Sequence, residues 1–184
     1  PKARAAGLKV IIERGSSHIE HQTKVLTVAY QSLGMKPADT PIGVIERELA
    51  EYELADMIAV PSQFAAKTFV DRGVSASKLI VNNYGVDLTR FRPTESVTEH
   101  LKPKILFVGQ VGVRKGIPNL LKAFSALKGE AELHLVGPIE QGFENYLRDT
   151  KTDNVSIKGP VPGNALPEIY ADADFFCLPS LEEG

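Results

Sequence analysis

Apolar residues in this chain come in short runs broken by polar, glycine-bearing turns, and the runs alternate with segments of helical periodicity. Residues 8–12 read as a buried strand. Gly15, Ser16 and Ser17 then read as a loop whose serines cap a helix over about 18–33, stopped by Gly34. A second helix over 44–54 is predicted by Val44, Ile45, Leu49, Tyr52 and Leu54 at roughly helical spacing, with Glu46, Glu48, Glu51 and Glu53 as its wet face. A strand at 57–60 follows, then a helix capped by Ser62 and closed at Gly73, then a strand at 78–82. The polar run 93–103, bracketed by prolines, suits a linker between domains 1–98 and 99–184.

Beyond the linker, strands are predicted at 104–108, 132–136, 154–158 and 174–178, and helices near 117–127, 140–150 and 165–171. Strand–helix alternation implies parallel sheets with right-handed crossovers, so the expected fold class is α/β with two Rossmann-like domains. In such sheets ligands sit beyond the carboxyl ends of the strands. Four predicted strand ends in the second half therefore line one crevice.

The first of those ends carries the sharpest chemistry. The strand 104–108 runs into Gly109, Gly112, Arg114, Lys115 and Gly116 just where a helix starts. Glycines let backbone approach a ligand, and a helix N-terminus offers unpaired N–H groups and a positive dipole end. Cations there are unfavourable unless an anion joins them, so the placement asks for phosphate. The loop has neither the Gly-Lys-Ser/Thr ending of a P-loop nor a G-x-G-x-x-G spacing, which points to another class of nucleotide ligand and argues against a Rossmann dehydrogenase.

Composition narrows the field further. The chain has 184 residues, 43% hydrophobic and 24% charged, with net charge -2. Division at residue 98 leaves 12 basic and 11 acidic residues before it, and 9 and 12 after it. Neither part has the basic surplus of a nucleic-acid binder. The single cysteine, Cys177, reads as a small core hydrophobe and gives no disulfide framework, which points to a reducing, cytoplasmic setting. His18 and His21 form an H-x-x-H pair without further ligands nearby, so no metal site is expected.

Several motifs in order resemble the donor-binding half of the retaining GT-B glycosyltransferases of family 4, the glycosyl transferases group 1 domain. They are Phe107-Val108-Gly109, Lys115-Gly116, Val136-Gly137-Pro138, Gly159-Pro160-Val161 and Pro179-Ser180-Leu181-Glu182-Glu183-Gly184. Upstream, Tyr84-Gly85-Val86-Asp87 and Ala55-Asp56 with Ser62 resemble the family's crossover element and an acceptor-domain strand, with Tyr84 in place of the usual Asn. The resemblance implies a GT-B fold of which both domains are incomplete in this chain, the family's second Glu falling beyond Gly184. It implies a nucleoside-diphosphate sugar as donor substrate, no cofactor, and a glycan or lipid-linked acceptor, with peripheral membrane association at the inner face.

By the same resemblance, Arg114, Lys115 and Gly112 hold the diphosphate, and Gly137, Gly159, Pro160 and Val161 face the base and ribose. Glu183 contacts the donor sugar, with Glu182 a solvated neighbour. His18, or Arg14, lines the active site from the acceptor side; a surface histidine in a capping loop is the alternative. A non-catalytic or truncated nucleotide-sugar-binding module of the same fold is the rival reading, and an epimerase or phosphorylase relative a weaker one.

Overall fold

The computed structural model describes residues 2–37, 40–92 and 100–184. These fold as two compact units: residues 1–85 together with 182–184, and residues 86–181. The anticipated boundary at 98/99 adjoins residues 93–99, which, with most of the anticipated linker, lie outside the described residues.

The first unit contains α1 (Lys2–Ala5), β1 (Ile11–Glu13), α2 (Ile19–Ser32), α3 (Ile42–Leu54), β2 (Met57–Val60), α4 (Gln63–Val70) and β3 (Leu79–Val81). Its sheet is parallel, in the order β1-β2-β3, with Ile12 opposite Ile58 and Ala59 opposite Ile80. Because β2 is central, its inward residues Ile58 and Val60 are fully buried and pack with Ile19, Tyr52, Ala65 and Phe69. Burial of each such large side chain contributes roughly 1.5–3 kcal/mol. Ser62 caps α4 by accepting the Ala65 N–H at 3.0 Å.

The anticipated buried strand at 8–12 is corrected. Only Ile11–Glu13 pairs, and Leu8 and Ile11 are 61% and 62% exposed, because β1 is an edge strand. The short α1 escaped the sequence reading, since a single turn has no periodicity to detect.

The second unit contains β4 (Lys104–Val108), α5 (Ile117–Ser125), β5 (Glu132–Val136), α6 (Glu144–Thr150), β6 (Val155–Gly159), α7 (Leu166–Ala171) and β7 (Phe175–Phe176). All four strands are parallel, in the order β6-β5-β4-β7. Phe107, Leu106, Leu133 and Leu135 fill the sheet's interior, and α5 covers it with Ile117, Leu120, Leu121 and Phe124. The edge strand β7 is shorter than expected, two residues in place of five, and both its phenylalanines are exposed. Cys177 beside it is partly exposed, so it is not the core residue that its apolar neighbours suggested.

The two units share a local device that the sequence spells the same way, Ala55-Asp56 and Ala173-Asp174. Asp56 accepts the Val10 N–H at 2.8 Å and Asp174 accepts the Lys104 N–H at 2.7 Å. Each carboxylate thus satisfies the N–H at or just before the start of the neighbouring strand and sets its register.

At the carboxyl edge of the second sheet, Gly109, Gly137 and Gly159 stand on adjacent strands. Gly109 donates to the Val136 carbonyl at 2.9 Å, and Gly137 to the Gly159 carbonyl at 2.8 Å. Gly137 has φ +139°, and a Cβ there would overlap the Gly109 carbonyl. Gly159 has φ +68° and ends a register shift in which Val136 pairs with Gly159, past Lys158. We expect Gly137→Ala to destabilise the chain by more than about 3 kcal/mol, strain adding to the clash. Gly142→Ala, at φ +84° with open space around it, is the control and should cost about 1 kcal/mol in urea unfolding followed by circular dichroism.

Candidate functional site

In the second unit the anticipated phosphate loop leaves β4 at Gly109 and enters α5 at Gly116. Gly116 occupies the helix N-cap in a left-handed conformation, φ +71°, and provides no side-chain cap to α5. Pro118 in the first turn has no N–H, and the Gly116 and Ile117 N–H groups, expected to be unpaired, donate to the Val113 and Gly112 carbonyls at 2.9 and 3.3 Å. Arg114 and Lys115 lie in the turn just before it and are partly exposed.

Neighbouring loops fix that turn from two sides. Glu140 accepts the Val113 N–H at 2.9 Å, and a Cβ on Gly112 would collide with its carboxylate. Val111 N–H reaches the Pro138 carbonyl at 2.8 Å, and Glu140 N–H reaches the Val111 carbonyl at 3.0 Å. Glu140 was expected to open a helix; α6 begins only at Glu144, because residues 138–140 are held against the glycine loop. On the other side, a Cβ on Gly116 would meet the Pro179 carbonyl, and Leu181 N–H reaches the Arg114 carbonyl at 2.9 Å. The small side chains at 112 and 116 are therefore required by packing as well as by any ligand. The structure thus brings Gly112, Arg114, Lys115, Gly137 and Gly159 to one sheet edge, with Pro160 and Val161 continuing from β6.

In the first unit the segment 182–184 packs on the loop after β1. Glu182, expected as a solvated neighbour, is 1% exposed. Its Oε1 accepts from Ser16 Oγ at 2.5 Å, Ser17 N at 3.1 Å and Ser17 Oγ at 2.7 Å, and its Oε2 accepts from Gln22 Nε2 at 2.8 Å. Burial pushes the carboxyl up, but these donors outweigh it and hold its pKa down at about 2. The two serines were anticipated as helix caps. They serve this carboxylate instead, a role no local pattern could signal because their partner lies 165 or more residues away.

The cap of α2 is His18, whose Nδ1 accepts the Glu20 N–H at 3.3 Å. The His18 backbone N–H donates to Thr68 Oγ1 at 2.9 Å, and its ring lies 4.9 Å from Phe69 and 5.1 Å from Tyr52. The histidine is 2% exposed, which removes the surface-residue alternative. It borders a cavity of about 340 Å³ lined also by Tyr52, Glu53, Arg72, Val74 and Lys78. Burial first, then the charges of Arg72 and Arg14, lower its pKa to about 4.

Arg14 joins the network from below. It donates to Gln22 Oε1 at 2.9 Å and to the Ser17 carbonyl at 3.2 Å, and pairs with Glu48 at 3.4 Å. Glu48 also accepts from Tyr52 Oη at 2.5 Å. Of the four acids assigned to the wet face of α3, Glu48 therefore turns inward. Glu183, next to the buried Glu182, is partly exposed.

Residues 102–184 match the family model for glycosyl transferases group 1. The chain is 31% identical over 144 residues to the sulfoquinovosyl transferase SQD2 of Arabidopsis thaliana, covering 72% of this chain and 28% of that protein. It is 29% identical over 138 residues to the MMP alpha-(1->4)-mannosyltransferase of Mycolicibacterium hassiacum, covering 72% of this chain and 33% of that one. The chain therefore spans no more than 33% of the length of either curated relative. Among solved structures it is similar to Anabaena HepE in complex with UDP, with TM-score 0.68 and 17% identity over 97% of this chain and 48% of that one. TarM superposes with TM-score 0.60 at 13% identity, covering 96% of this chain and 33% of its own. These neighbours share the chain's fold, α/β with parallel sheets of the GT-B type. Among the described residues no helix is long and apolar enough to cross a membrane.

The buried His18 gives a signed pH dependence. Its folded pKa of about 4 lies below the ordinary 6.5, so the unfolded chain takes up a proton first as pH falls. Its contribution is complete above pH 6.5 and is lost progressively down to about 4. Between pH 7 and pH 5 the loss is about 2 kcal/mol. His18→Gln, which cannot titrate, should show a correspondingly smaller loss in urea unfolding at the two pH values. Equal losses in both proteins would refute the assignment.

Proposed function

We propose that this chain is part of a retaining, metal-independent glycosyltransferase that moves a sugar from a nucleoside-diphosphate donor to a glycan or lipid-linked acceptor. The observation that carries the reading is the 109–116 loop. Two cations stand at a helix N-terminus lacking a side-chain cap, within the segment that matches the group 1 family. Full charges at Arg114 and Lys115, with the dipole of α5, suit a diphosphate both as bound ligand and as leaving group. Arg supplies a planar fork and Lys a point charge, so the two are not interchangeable.

In this reading Gly137, Gly159, Pro160 and Val161 offer backbone groups to the base and ribose. Glu183 contacts the donor sugar and stabilises positive character on its ring as the glycosidic bond breaks. His18, neutral at physiological pH, acts from the first unit. The reaction requires no cofactor beyond the donor itself. The whole protein works in the cytoplasm, with peripheral association at the inner membrane face bringing it to a lipid-linked acceptor.

Three measurements test this. Lys115→Ala should lower kcat/KM for donor about 100-fold or more while stability changes by less than about 1 kcal/mol; unchanged turnover sinks the diphosphate assignment. Chelation by EDTA should leave the rate unchanged. The product's anomeric configuration, read by NMR, should equal that of the donor, and an inverted product would rule out the retaining mechanism.

A further inference from the structure

The Glu182 cluster joins the 182–184 segment to the loop after β1 and to α2 through a buried charge. A carboxylate 1% exposed normally costs several kcal/mol to desolvate, and that cost is offset only where its lone pairs are filled by donors. Here four donor contacts from three residues fill them, and the donors belong to the loop after β1 and to α2. The fourth donor, Gln22, has its orientation set from the other side. Its carbonyl accepts from Arg14, which leaves its NH₂ to face Glu182 and Ser16. Arg14 is held in turn by Glu48. The charges therefore alternate along one path: Glu48, Arg14, the Gln22 dipole, Glu182.

We propose that Glu182 is a positioning residue: its carboxylate locks the 182–184 segment onto the 15–18 loop, so that Glu183 and the His18 loop are presented as one rigid pair. The lock is independent of what binds; its consequence for sugar chemistry rests on the role given above to Glu183. Close packing completes it, since a Cβ at Gly184 would press on the Gly15 carbonyl at 2.5 Å and on Pro61 at 2.6 Å.

The network makes a specific demand on the residue at 182. An amide there could keep its oxygen toward the serines only by turning its NH₂ toward the Gln22 NH₂, donor against donor. Gln22 cannot turn over to relieve this without setting its own NH₂ against Arg14. With the new amide reversed, its NH₂ would face the fixed Ser17 N–H, so Glu182→Gln is frustrated in either orientation. Gln22→Glu in the same chain removes the conflict, because a carboxylate at 22 accepts from both the new amide and Arg14.

The test compares the full chain with Glu182→Gln and with the double variant Glu182→Gln/Gln22→Glu. Hydrogen exchange at the Ser17 amide, which donates to Glu182, is the first readout. It should accelerate about tenfold or more in the single variant and return to near the parent rate in the double variant. An unchanged rate in the single variant, or a double variant that exchanges as fast as the single, overturns the lock.

The second readout uses UDP-glucose as probe, scored for hydrolysis and for UDP affinity. The single variant should lose about tenfold in kcat with UDP affinity unchanged, and the double variant should recover it. Equal losses in kcat and UDP affinity would mean general damage and would overturn the positioning role. If the parent chain does not turn over UDP-glucose, that result counts against the functional reading for this donor, while the exchange experiment still decides the lock.

Discussion

A single buried carboxylate organises the polar interior of the first unit. Glu182 is ionised and excluded from water with Ser16, Ser17 and Gln22 all turning donors toward it. That requirement dictates the path of the loop after β1. With both serines committed elsewhere, the first turn of α2 is left to His18, and the imidazole must stay neutral to accept from Glu20. The neutral ring can then be buried against Tyr52 and Phe69. Tyr52 in turn reaches Glu48, which holds Arg14, which orients Gln22 back toward Glu182. The circle closes because each member satisfies a group that would otherwise be buried unpaired.

The second unit is governed by a different constraint, the close approach of backbones. Three strands end in glycines at one level, and at Gly109 and Gly137 the backbones come too near for a side chain between them. The 109–116 loop is shaped the same way, by Glu140 against Gly112 and by the Pro179 carbonyl against Gly116. Glycines in a suspected ligand loop are easily credited to the ligand alone. Here the protein's own packing demands several of them. Arg114 and Lys115 are then carried on a turn whose two flanks are fixed.

Much of this architecture was legible because it is local. Strands at 57–60, 104–108 and 132–136 were read with their observed limits, since a buried parallel strand is a short apolar run. Ser62 and Gly73 announced the two ends of α4, because caps and left-handed turns depend on residue type within a few positions. Edge strands were read less well. Residues 8–12 and 174–178 look as apolar as the central strands, yet pairing on only one side leaves Ile11, Phe175 and Phe176 exposed. Apolar character in a sequence records that a face is suited to burial, not which neighbour buries it.

The sequence by itself determined the parallel α/β class, the glycine loop with its paired cations, and the order of motifs that suggested a donor-binding unit, because each is written in contiguous residues. Tertiary structure alone decided which of two adjacent glutamates is buried, what Ser16 and Ser17 bind, and why Glu48 leaves the wet face of its helix. Those outcomes depend on partners brought together by folding from as far as 166 positions apart. A carboxylate's environment, and with it its charge and its role, is set by those partners and not by its neighbours along the chain.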